Sequence, residues 1–206
     1  MKFYLRTSTN LISITAFLIL SMAIGLLNSG CAQYRIKTLL KSGYLIGTNL
    51  SGFDLYNLDL ENANFSKARL IRTNFSFSNL RNSKFVNADL READLSAADL
   101  TGSDLRGANL RRVKAENAVL IKANLIDAYF YDASLNSADL RNAVFVAPGA
   151  ENATCDKICE DIRRGIIVNY VHLRNADLSG AAISSEWKQF IQMQKVRNFD
   201  KIVWVK

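Results

Sequence analysis

From Leu45 to Phe145 the chain places a large apolar residue at every fifth position. Twenty of the 21 positions in this series are Leu or Phe, and the exception is Ala115. Two residues before each of these centres the residue is usually small, as in Ala63, Ala68, Ser78, Ala88, Ala93, Ala98, Ser103, Ala108, Ala118, Ala123 and Ala138. The residue immediately before the centre is often Asp or Asn. A strict period of five fits neither the helical 3.6 nor the strand period of two. On a helix, successive centres would precess by about 140° and scatter large apolar side chains around the circumference. On a long strand they would alternate between faces. Five residues work as one side of a square coil, with the large residue and the small one two before it pointing inward and the other three outward. Four such sides close a coil of about 20 residues, and coils stack at the strand spacing of about 4.8 Å. Alternating one large and one small inward residue fills a narrow interior without voids.

The run NADLR EADLS AADLT GSDLR GANLR at residues 87–111 resembles the A(D/N)LXX motif of the pentapeptide-repeat family, and the likeness extends over about half the chain. The resemblance implies an all-β fold, a right-handed quadrilateral β-helix; the spacing itself argues for a five-period solenoid. Its limits are read as 43–147. At Val113-Lys114-Ala115 the large and small residues exchange places without a frame shift, a swap that keeps inward volume nearly constant. Phe53 and Leu58 occupy positions where small residues are expected, which suits a first coil whose open end needs covering.

Between Arg6 and Arg35 no residue is charged, and Leu11 to Leu27 is a mostly apolar run. Lys2 and Arg6 precede it, and Asn28, Ser29 and Gly30 lead to Cys31, the layout of a secretory signal. The Ser-Gly-Cys ending also resembles a bacterial lipoprotein signal, which implies lipidation at Cys31. Residues 1–31 are therefore read as a signal peptide or hydrophobic helical membrane anchor, and 32–42 as a linker. The bulk of the chain is expected outside the cytoplasm of a bacterium, on the periplasmic side or in the cell envelope, held to the membrane through its N-terminus.

The formal charge of +7 suggests an anionic partner until it is located. Residues 1–40 carry four basic side chains and no acid; residues 41–145 carry 13 basic and 12 acidic ones. The repeat body is nearly neutral, which argues against nucleic acid as a general partner. With 49% hydrophobic residues the chain can bury a core, so wholesale disorder is excluded. Pro148, the single proline, stands where the five-residue register ends.

Residues 148–167 read as an inserted loop or helix holding Cys155 and Cys159, and in an exported protein a local disulfide between them is expected. The period returns at 168–183 with Val168, Leu173, Leu178 and Ile183, enough for one further side of a coil or two. His172 is the only histidine, too little for a metal site with two thiols. Residues 184–206 are expected to form a short α-helix over 184–199, with Ser184 or Ser185 as N-cap and Trp187, Phe190, Ile191 and Val196 or Phe199 at helical spacing, followed by a strand-like tail. The helix would close the end of the solenoid; the family resemblance also implies a homodimer formed through it.

No catalytic, cofactor or metal constellation is present in the sequence, and the many Asp residues recur because the repeat recurs. Residues 20 apart become vertical neighbours, which gathers Arg69, Arg72, Arg91, Arg111, Arg112, Tyr129 and Tyr131 on one outer wall as a possible interaction face. The sequence thus points to a non-enzymatic, membrane-tethered binding or structural scaffold with a protein partner. The alternative implied by the family resemblance is a topoisomerase-interacting protein of the DNA-mimic type.

Overall fold

The structure is a computed structural model that describes residues 45–145 and 171–205. Its organising contact is a parallel bridge between residue n and residue n+20. One column runs Asn49–Arg69–Asp89–Asn109–Tyr129 and the next runs Asp54–Asn74–Asp94–Lys114–Ser134. The third runs Asp59–Asn79–Asp99–Val119–Asp139 and the fourth Asn64–Lys84–Asp104–Asn124–Val144. The body is a right-handed quadrilateral β-helix, as the period requires.

Each pentapeptide settles its own backbone N–H groups. Around Leu60, the Leu60 N–H donates to Asn79 O at 2.8 Å, the Asn62 N–H to Arg81 O at 2.9 Å, and the Ala63 N–H closes a β-turn on Leu60 O at 3.1 Å. One coil on, the Asn79 N–H donates to Leu58 O at 2.9 Å. The N–H after the centre is taken up by the Asp or Asn before it: Arg81 N–H reaches Asn79 Oδ1 at 3.2 Å, and Ser96 N–H reaches Asp94 Oδ1 at 2.9 Å. This Asx turn is the physical reason for Asp or Asn at that position. Where Asp or Asn precedes the centre all five N–H groups are engaged, and a proline anywhere in such a repeat would remove a bond.

The second residue after each centre turns the corner with positive φ, at values such as 53° for Asn57, 55° for Ala97 and 58° for Asn117. A turn of type II needs this conformation at its third residue, which Gly and Asn adopt most easily. Gly102 and Gly107 supply it at two corners, and Asn or other side chains at most of the rest.

The inward residues form one continuous core. Every centre from Leu45 to Leu140 is buried, together with the small residues two before them from Ala63 onward. Phe65 and Phe85 stack at 5.1 Å, and Phe75 meets both edge-on at 5.5 and 6.0 Å. Val113 and Ala115 are both 2% exposed, so the exchange of large and small is accommodated. Phe53 and Leu58 pack against the core while remaining half-exposed at the first coil.

From residue 171 onward the spacing between bridged residues changes. β1 (Ala133–Ser134) pairs in parallel with β2 (Val171–His172), and Val144 bridges Ala182, so the step is 38 residues instead of 20. Leu173, Leu178 and Ile183 are all buried, so the described chain adds three further sides, more than the one or two expected. β3 (Ala182–Ser184) pairs in parallel with β4 (Val203–Val205), which places the strand-like tail on the last coil as its alternation suggested. The expected helix over 184–199 is shorter. A 3-10 turn spans Ser185–Trp187 and α1 only Lys188–Met193; Trp187, and not Ser184 or Ser185, occupies the N-cap position of α1, which has no side-chain cap. The chain must return to the coil so that Arg197 can bridge Asp177, which leaves room for fewer than two helical turns. Trp187 and Ile191 lie with Leu173, Leu178 and Ile183 around the C-terminal mouth, closing it as the amphipathic pattern implied.

Candidate functional site

The square cross-section sorts outward side chains into walls and corners. The wall built on Leu50, Leu70, Leu90, Leu110 and Phe130 carries Arg69 and Tyr129 in one vertical row, and Arg91, Arg111 and Tyr131 in the next. Arg72 and Arg112 stand on the adjoining corner. All seven residues singled out in the sequence share this surface.

The geometry changes what that surface presents. Arg91 forks onto Asp89, with Nε to Oδ1 and Nη2 to Oδ2 both 2.8 Å. Up the corner, charges alternate at 20-residue steps: Arg72 Nε lies 2.7 Å from Glu92 Oε2, and Arg112 Nε lies 3.4 Å from Asp132 Oδ2. Arg111 sits over the Tyr131 ring at 5.1 Å, a cation–π contact. The Arg91 guanidinium holds the Asp89 carboxyl below the usual carboxylate range, and Arg72 does the same for Glu92. These pairs are exposed to solvent and screened by it, so they add little to stability. Their main effect is to fix the guanidinium planes and to cancel much of the positive field that a bare count of arginines suggests.

Pairing is not confined to this wall. Arg106 and Arg141 fork onto Asp104 and Asp139 in the same way, and Arg81 Nη1 lies 3.0 Å from Asp99 Oδ2. Burial raises the Asp99 carboxyl, but hydrogen bonds from Thr101 and Arg81 outweigh it and leave the pKa lowered.

One exposed feature escaped the sequence reading. Tyr56 and Phe77, 51% and 60% exposed, meet edge-on at 5.7 Å at a corner of the first two coils. The signal was present in Asn74-Phe75-Ser76-Phe77, whose second Phe falls on the corner where the residues stacked at 20-residue steps are Asn57, Ala97, Asn117 and Ser137. Cys31, Cys155 and Cys159 lie outside the described residues. Among the described residues no three His, Cys, Asp or Glu side chains gather as a metal site, and no helix is long and apolar enough to cross a membrane.

Comparison with known proteins agrees with the repeat geometry. Pentapeptide repeats match in eight copies over residues 44–76, 73–112 and 108–145. Among solved structures, a pentapeptide repeat protein of the Arabidopsis thaliana thylakoid lumen is 24% identical, over 72% of this chain and 77% of its own, with a TM-score of 0.47. A pentapeptide repeat protein from Nostoc is 31% identical over 48% of this chain and 79% of its own, with a TM-score of 0.39. A plasmid-mediated fluoroquinolone resistance protein is 19% identical over 68% of each chain, with a TM-score of 0.35. No curated protein matches the chain. With its five-residue register, its 20-residue bridges and eight matched repeats, the chain belongs to the pentapeptide-repeat family.

Proposed function

We propose that this protein is a non-enzymatic scaffold, tethered to the membrane by its N-terminal segment and carried outside the cytoplasm, whose wall of Arg and Tyr binds a protein partner. The observation that carries the binding role is the rigid presentation of that wall. Backbone bridges every 20 residues hold Arg69, Arg91, Arg111, Tyr129 and Tyr131 in fixed vertical register, and the Asp89 fork and the Tyr131 ring orient two of the guanidinium groups. Preorganised Arg and Tyr lose little side-chain freedom on contact, which is why such residues anchor interfaces. The tether rests on the uncharged stretch between Arg6 and Arg35 and on the signal-like order of Lys2, Arg6, the apolar run and Cys31.

Two experiments test the two halves. Fractionation should place the full chain with membranes, and palmitate labelling at Cys31 would select the lipoprotein form over the uncleaved anchor. Soluble cytosolic protein with an intact N-terminus refutes the tether. Replacing Arg69, Arg91 and Arg111 together by Glu should abolish co-purification of the partner; an unchanged set of co-purifying proteins refutes the wall. The DNA-mimic reading has less support, because a duplex-like surface needs rows of free carboxylates. Asp89, Asp99, Asp104 and Asp139 are instead each paired with an Arg.

A further inference from the structure

The arginines of the coils divide into two sets. Arg72, Arg81, Arg91, Arg106, Arg112 and Arg141 each have a carboxylate oxygen within 3.4 Å. The remaining arginines of residues 45–145, Arg69 and Arg111, are exposed and have no ion pair among the described residues. Both stand on the wall of Arg and Tyr, whereas the paired arginines are spread around the coil.

Local sequence explains why these two are left over. A fork forms where Asp precedes the centre and Arg follows it, as at Asp89 and Arg91, Asp104 and Arg106, and Asp139 and Arg141. Where Asn79 takes the Asp position, Arg81 crosses to the next rung and finds Asp99, 18 residues on. At Arg111 both routes are closed: Asn109 precedes its centre, and the residue 18 on is Tyr129. Arg111 rests instead over the Tyr131 ring, which orients the guanidinium and leaves its charge uncancelled. Arg69 itself occupies the position before its centre, so its own repeat supplies no carboxylate there. Its bridged neighbours are Asn49 and Asp89, and Asp89 has both oxygens on Arg91.

The two uncancelled charges are two rungs apart in neighbouring rows, about 10 Å along the axis and about 12 Å between Cα atoms. A continuous polyanion such as nucleic acid, charged at every phosphate, would also have to cross Asp89 and Glu92, which lie between them. Separate carboxylates meet the open guanidinium groups and miss those acids. On an extended protein segment, carboxylates three or four residues apart are separated by about 10–13 Å. Guanidinium also takes a carboxylate in a two-point fork, the geometry this chain already uses internally.

We propose that Arg69 and Arg111 are the charge-reading contacts of the wall, and that they engage an acidic segment of the protein partner carrying two carboxylates at this spacing. The proposal rests on the reading of the wall as a protein-binding surface and adds the chemistry of what it binds.

The full chain is used to select peptides from a random library displayed on phage, and the selected peptides are measured by fluorescence anisotropy. Enrichment of Asp or Glu pairs three or four residues apart is expected. Arg69→Gln and Arg111→Gln should each weaken binding about fivefold. Asn109→Asp should weaken it as much while keeping every arginine, because it completes a fork on Arg111; Asp89, Asp104 and Asp139 show that the coil accepts Asp at this position. Arg106→Gln changes the net charge equally on another wall and should leave binding unchanged. Equal weakening by Arg106→Gln, selected peptides without acidic pairs, or tighter binding of an oligothymidylate than of the peptides overturns the proposal. In each of these cases the wall reading stands if replacing Arg69, Arg91 and Arg111 together by Glu still abolishes binding. If no peptide is enriched, or if that triple variant binds the selected peptides as the native chain does, both readings fall.

Discussion

The uniform coils of residues 45–145 and the irregular end at 171–205 satisfy the same backbone demands by different means. In the uniform coils a repeat with Asp or Asn before its centre is self-sufficient, since turn, ladder and Asx side chain take up each N–H in turn. At the end the step between bridged residues changes from 20 to 38 and then to 21 between Ala182 and Val203, and individual side chains fill the resulting gaps. The Leu173 N–H turns to Gln194 Oε1 at 3.3 Å and the Arg174 N–H to Asn136 Oδ1 at 3.0 Å. Arg197 Nε donates to Asn175 O at 2.8 Å, and Asn198 Nδ2 to Asp177 Oδ2 at 3.1 Å. A repeat distributes its stability evenly along a ladder, whereas an irregular cap depends on a few named contacts.

That contrast is tested most strongly in the core. Leu100 is fully buried with coils on both sides, so Leu100→Ala should lower unfolding free energy by about 3–5 kcal/mol in denaturant titration. Ile191, 1% exposed at the cap, has the solenoid on one side only, and Ile191→Ala should cost about 2–3 kcal/mol. Hydrogen exchange should then show lost protection confined to 171–205; loss spread evenly through the coils would show that the two regions unfold as one and would erase the distinction.

The corners offer a finer test. A Cβ on Gly102 would stand 2.6 Å from Asn82 Oδ1, at a φ of 70°. The amide can swing aside, so the remaining cost of Gly102→Ala is backbone strain of about 1 kcal/mol, visible as a lower Tm. Ala97→Gly, at φ 55°, should change stability in the opposite direction by a few tenths of a kcal/mol. Ser103 is fully buried, and its hydroxyl has no partner among the described residues. Ser103→Ala should therefore be neutral or stabilise by up to about 1 kcal/mol, whereas Thr73→Val, which loses a 2.8 Å bond to Leu50 O, should destabilise.

The smallest effect is electrostatic. Asp89, Asp104, Asp99, Asp177 and Glu92 all have lowered pKa values, so each binds its proton more weakly in the folded chain than in the unfolded one. Their contribution is fully present above the ordinary carboxylate range near pH 4 and is lost as pH falls below it. Thermal unfolding should show a modestly lower Tm at pH 3 than at pH 7. Asp177→Asn should reduce the acid sensitivity of the C-terminal segment, where Ser179 and Asn198 hold that carboxylate.

How far the sequence could be read depended on how local each feature is. Which residues face inward, the exchange at Val113 and Ala115, and the strand-like tail were legible because alternation and period are short-range properties. The length of α1 was not, because a helical pattern over 184–199 competes with the requirement that Arg197 and Val203 return to their columns. The wall of arginines was legible as a place but not as a charge. Arg72 and Glu92, or Arg112 and Asp132, are 20 residues apart, and whether they meet depends on rotamers that only the closed coil selects.

By itself, then, the sequence determined the coil, its core and its family, because a strict period of five with alternating large and small residues has one good way to bury its apolar side chains. Tertiary structure decided which charges cancel, how the C-terminal mouth closes, and that Phe77 is held strained and exposed beside Tyr56. Stacking turns a separation of 20 residues into about 4.8 Å, and interactions at that range exist only once the coils have closed.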